Sequence, residues 1–148
     1  MRFLCDAAHA LRAEGGRAGA RAVAQMLETN TTLVRLDLTQ NDLGVEGGAA
    51  MGRALEQNTT LKTLNMRFNR IGFGLERATG FAKALEVNTS LTWLDMSQNE
   101  LGAIGGGAFG ASLAHNRSLT WLDLQRNELG TQGGADVGKG LAANSTLV

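Results

Sequence analysis

Leu91-Thr92-Trp93-Leu94-Asp95-Met96-Ser97-Gln98-Asn99-Glu100-Leu101 returns almost unchanged as residues 119 to 129, and that recurrence decides how the chain folds. Two earlier stretches, Leu33 to Leu43 and Leu61 to Ile71, keep the same frame, L-x-x-L-x-L-x-x-N-x-L, with Met66 and Ile71 replacing two of its leucines. The leading residues Leu33, Leu61, Leu91, Leu119 and Leu147 are spaced 28, 30, 28 and 28 apart. Self-similarity at such a period means a stack of repeated units in place of one globular core.

Each unit reads in two halves. In the first, Leu36 and Leu38 alternate with Arg35, Asp37 and Thr39, the period of two that makes a short strand with leucines inward. In the second, Val45 to Leu55 places Gly48, Met51 and Leu55 on one helical face. Glycine inside a helix costs about 1 kcal/mol against alanine, so these helices depend on stacking. A strand followed by a helix at fixed period stacks strands in parallel on one side and helices on the other. Strands sit about 4.8 Å apart while helices need about 8 to 10 Å, and the mismatch curves the stack with its strands on the concave face.

Residues 1–29 look like the helical half of a repeat without its strand, because Gly19 to Glu28 aligns with Gly47 to Glu56. They are expected to be an N-terminal cap or the edge of a longer array. Residues 30–148 then carry four complete units and, at Leu147-Val148, the opening of a fifth. No polar capping segment follows, which suggests a fragment of a longer protein or a truncation that associates through its bare end.

Fourteen basic side chains balance fourteen acidic ones, so no global field draws the chain to nucleic acid or anionic lipid. The single Cys5 cannot form an internal disulfide, and the opening residues lack the apolar run of a signal peptide, which favours a cytoplasmic location. No apolar run approaches the roughly 20 residues of a membrane helix. With only His9, His115 and Cys5 available, no metal cluster or nucleophile and base assembles, so neither catalysis nor a cofactor is expected. Two stretches imitate nucleotide motifs. Gly133 to Gly140 nearly spells a P-loop but has Gly140 where magnesium needs Ser or Thr, and Gly105 to Gly110 fits G-x-G-x-x-G only through repeat glycines.

Two asparagine columns run through the repeats. Asn41, Asn69, Asn99 and Asn127 follow the strands, where their amides are expected to pair inward-facing backbone groups. Asn30, Asn58, Asn88, Asn116 and Asn144 follow the helices and are expected to end them in the left-handed conformation. All five also sit in Asn-X-Ser/Thr, the glycosylation acceptor pattern. The second repeat gains two residues, most simply Phe73 and Gly74, which with Arg67, Phe68 and Arg70 suggest a basic and aromatic edge or a neutral loop insertion.

The outward strand positions form three columns: Arg35, Thr63, Trp93, Trp121; Asp37, Asn65, Asp95, Asp123; and Thr39, Arg67, Ser97, Gln125. These are expected at the surface. Both tryptophans of the chain hold equivalent sites on adjacent strands, about 5 Å apart, so their rings can stack. Tryptophan and arginine are enriched in binding hot spots. Asp95 and Asp123 oppose like charges, which water, Arg67 and Arg126, or a basic group of a partner would offset. The candidate contact set is Arg35, Arg67, Trp93, Asp95, Trp121 and Asp123.

With these residues in view the chain resembles the ribonuclease-inhibitor-like class of leucine-rich repeats, over residues 14 to 148. The wording L-x-x-L-D-L-x-x-N-x-L-G followed by E-G-G-A and A-L-E-x-N is most similar to NOD-like receptor repeats, and related repeats occur in Ran GTPase-activating protein and tropomodulin-type domains. The resemblance implies an α/β right-handed leucine-rich-repeat solenoid, a horseshoe segment that recognises a protein through its concave face or adjoining loops without catalysis. A regulator of a small GTPase and a structural spacer are the alternatives. The repeat is too widely shared to specify the partner or the oligomeric state.

Overall fold

Short parallel strands and longer helices alternate along the chain, and the computed structural model describes residues 3–4, 16–72 and 78–147. The strands are β1 (Phe3–Leu4), β2 (Arg35–Asp37), β3 (Thr63–Asn65), β4 (Trp93–Asp95) and β5 (Trp121–Asp123). The helices are α1 (Gly16–Thr29), α2 (Gly44–Gln57), α3 (Ala78–Val87), α4 (Gly102–His115) and α5 (Gly130–Ala143). All five strands join one parallel sheet in sequence order. Strand β1 corrects the expectation of a strandless N-terminal half-repeat, since Phe3 and Leu4 pair with Arg35 and Leu36. Cys5, His9, Phe73 and Gly74 lie outside the described residues.

The inward alternation holds. Leu36, Leu64 and Leu94 are in register and at most 2% exposed, and Leu38, Met66 and Met96 behind them are fully buried. Met51 and Leu55 of α2 close the core from the helical side, with Phe81 of α3 stacked on Phe109 of α4 at 6.4 Å between ring centroids. At β5 the same positions, Leu122 and Leu124, are only half-buried.

Helix glycines set the close approach between neighbouring helices. A Cβ on Gly110 would lie 2.2 Å from the Asp136 carbonyl oxygen, and one on Gly106 would lie 2.7 Å from Gly133 Cα. A methyl group added at the equivalent Gly134 or Gly138 in α5 would meet nothing within 4 Å. The substitution Gly110→Ala should therefore destabilise the chain by about 1 to 3 kcal/mol through overpacking. Gly134→Ala, with the same gain in helix propensity and no clash, should stabilise it by up to about 1 kcal/mol. Thermal melts of the two variants check the contrast; equal shifts would contradict it.

The turns after β2, β3, β4 and β5 bend through the left-handed region. Gln40 and Asp42, Phe68 and Arg70, Gln98 and Glu100, and Arg126 and Glu128 flank the four asparagines with φ between 51° and 63°. These are not glycines, and a side chain there costs of order 1 to 2 kcal/mol that the surroundings must offset. The offset is the buried asparagine. Asn99 Nδ2 donates to the Met66 and Met96 carbonyls, each within 3.1 Å, while its Oδ1 accepts the Asn69 N–H at 2.9 Å. Asn69 and Asn127 repeat the pattern, which joins each repeat to the one before it.

The second asparagine column behaves differently from expectation. Asn58, Asn116 and Asn144 have φ of −78°, −64° and −85°, an extended backbone in place of the left-handed one. Their side chains explain why. Asn88 Oδ1 accepts the N–H groups of Ser90 and Leu91, and its Nδ2 donates to Leu55 and Asn58 oxygens of the preceding repeat at 2.7 and 3.0 Å. Asn58, Asn116 and Asn144 do the same. In the folded chain the amides of Asn58, Asn88 and Asn116 are therefore buried donors, a geometry that leaves no room for a glycan.

Candidate protein-binding face

The concave surface is built from the outward residues of β2 to β5 and the turn residues that follow them. Strand register places Arg35, Thr63, Trp93 and Trp121 in one row, and Asp37, Asn65, Asp95 and Asp123 in the next. Trp93 and Trp121 stack with centroids 4.3 Å apart and planes 4° from parallel. Trp121 is 38% exposed and Trp93 is half-buried, so both indoles reach the surface. Offset aromatic stacking on neighbouring strands adds about 0.5 to 1.5 kcal/mol beyond burial and holds both indoles rigid.

The acidic row has a structural duty as well as an exposed side. Asp37, Asn65, Asp95 and Asp123 each accept the N–H of the residue two positions on, at 2.8, 3.1, 2.8 and 2.7 Å. These turns fasten the strand end to the bend, and the D-x-S/T spacing of Asp37 to Thr39 and Asp95 to Ser97 is the sequence signal for them. Two residues expected at the surface are buried instead: Ser97 is 5% exposed and Asp95 8%. The Ser97 hydroxyl donates to Asp95 Oδ1 at 2.6 Å, which is the reason both tuck inward. Among the described residues no ion pair reaches Asp95 or Asp123.

The arginines sit apart from the aspartates. Arg35 is exposed on β2, one strand removed from Trp93 by Thr63. Arg67, expected to relieve the acidic pair, directs its Nε to Gln98 Oε1 at 2.8 Å. The structure thus brings together Trp93, Asp95, Trp121 and Asp123, with Arg35 and Arg67 at the flanks.

The rim beside this face carries Phe68 and Arg70, two residues of the basic and aromatic edge expected from the sequence. Phe68 is 47% exposed, and Arg70 pairs with Asp42 at 3.4 Å and Glu100 at 3.9 Å. Gln40, Asn41, Gln98 and Gly16 complete a groove of about 530 Å³ around them. The P-loop imitation is settled by Lys139, which lies within α5 with its ammonium 2.7 Å from Asp136 Oδ1. The Gln132 amide and that ammonium hold the Asp136 carboxyl below the usual carboxylate range. Among the described residues no helix is long and apolar enough to cross a membrane.

A search of curated proteins finds no significant match. Among solved structures, the leiomodin-1 actin-binding site 2 superposes with a TM-score of 0.74 at 23% identity, covering 84% of this chain and 73% of that one. At that identity the likeness shows the fold. The family pattern described as "Leucine Rich repeat" matches residues 29–52, 57–72, 87–110 and 115–138. These matches span more than half of the sequence and each contains one strand with its asparagine turn, so the chain belongs to the leucine-rich repeat family.

Proposed function

We propose that the chain is a non-catalytic protein-interaction module of the ribonuclease-inhibitor-like type, nearest in wording to NOD-like receptor repeats, working in the cytoplasm. Its partner docks on the concave face, over Trp93, Trp121, Asp95 and Asp123 with Arg35 and Arg67 at the edge. The stacked tryptophans carry the reading. A leucine-rich repeat needs no aromatic at that position, since Arg35 and Thr63 fill it in the two preceding strands. Two rigid indoles at a surface offer large contact area with little side-chain entropy left to lose.

The double variant Trp93→Ala/Trp121→Ala should keep the wild-type circular dichroism spectrum and lose the partner. Cell extract passed over both immobilised proteins tests this, with actin as the first purified candidate because the matched leiomodin segment binds it. A protein kept by wild type and released by the variant supports the reading; equal retention by both overturns it. Accelerated GTP hydrolysis by a small GTPase in the presence of the chain would favour the activator alternative.

A further inference from the structure

We infer that the concave face holds an arginine side chain of its partner, with the guanidinium on the free ring face of Trp93 and paired to Asp95. This rests on the reading of that face as the partner surface and specifies what the surface recognises. One face of Trp93 is covered by Trp121 at 4.3 Å. The opposite face looks toward β3, where the residue in register is Thr63. Threonine is far smaller than indole, so the aromatic stack ends in a step, and solvent reaches both half-buried residues.

Asp95 stands two residues along the same strand on the same face, about 7 Å from Trp93. Its side chain is buried, at 8% exposure. Oδ1 is occupied by the Ser97 N–H and hydroxyl, whereas no donor among the described residues reaches Oδ2. Asp123 stands in register beside it and adds a second negative charge. That oxygen is open to solvent, and a carboxylate with one free oxygen beside a like-charged neighbour is short of positive charge. The chain's own Arg67 is turned away to Gln98 and does not supply it.

Arginine fits the step better than lysine. Its guanidinium is planar, weakly hydrated, stacks on an indole and donates laterally to a carboxylate at the same time. An ammonium is a hydrated point charge without a flat face.

Panning a displayed library of random peptides against the folded chain tests this, followed by titration of the strongest binder by calorimetry. The enriched peptides should carry arginine, and replacing that arginine with citrulline, which keeps the shape and loses the charge, should weaken binding about tenfold or more. Two variants should do the same. Asp95→Asn retains the turn acceptor, as Asn65 does at the equivalent place in β3. Thr63→Trp extends the stack over the step without changing charge. Enriched peptides that lack arginine, or that ignore both variants while depending on Trp93 and Trp121, would overturn the arginine site and leave the partner face standing. Peptides that bind Trp93→Ala/Trp121→Ala as well as wild type would overturn the face itself, and a library with no binder would overturn the arginine site.

Discussion

Asn99→Ala should lower the unfolding free energy by about 3 to 5 kcal/mol, a large share of the roughly 5 to 15 kcal/mol that holds an ordinary domain together. The side chain is fully buried, and its two ends serve different repeats. Nδ2 donates to Met66, Met96 and Ser97 carbonyls, and Oδ1 accepts the N–H groups of Asn69 and Ile71. Alanine leaves these groups without partners, and each buried orphan costs about 1 to 3 kcal/mol. Because Asn69 in turn serves the repeat before it, the damage spreads toward β2. Reversible urea unfolding followed by circular dichroism measures the loss, with exposed neighbours as controls. A change under about 0.5 kcal/mol would mean that water replaces the amide, and the ladder would then be a passenger.

Leu94→Ala should cost about 2 to 5 kcal/mol by emptying a site walled on every side. Leu94 is fully buried, with Leu64 and Leu122 in register on either strand. Its own neighbours cannot close the space, since the sheet fixes their spacing at about 4.8 Å. Leu122→Ala at β5 should cost roughly half as much, because Leu122 is only half-buried. A denaturation series that ranks the two equally would contradict the inward packing of β4. In a solenoid each repeat leans on its neighbours, so the Leu94 variant is also expected to broaden the transition.

The repeat frame, the strand register and the tryptophan stack were readable in the sequence because all three follow from two periods, two residues along a strand and 28 along the chain. Burial of Leu36, Leu64 and Leu94 followed from the same arithmetic. What stayed hidden depends on where side chains reach across repeats. Asn58 and Asn116 read as helix terminators by their own backbone preference, yet their amides cross to the preceding repeat and keep φ negative. Asp95 read as a surface acid, and only the Ser97 hydroxyl turns it inward. Strand β1 escaped because only Leu4, opposite Leu36, keeps a strand leucine of the frame, Asp6 and His9 replace the next leucine and the asparagine, and the offset is 32 instead of 28. The step between Trp93 and Thr63 was present in the columns, but its depth depends on which ring face the stack covers.

The turns that follow β2 to β5 have a consequence for inheritance. A bend held open by glycine can present only a hydrogen, so a lineage that relies on it has nothing there to vary. Here an asparagine one residue away holds the bend, and the eight flanking sites keep full side chains: glutamine, phenylalanine, arginine, aspartate and glutamate already occur among them. Side chains without a β-branch bear similar left-handed penalties, asparagine and aspartate the least, so exchanging one such residue for another is close to neutral for folding. Each repeat therefore carries two addresses on its rim where mutation rewrites the surface text without redrawing the chain path. Selection for a new partner can act there first, while the asparagines behind them stay fixed.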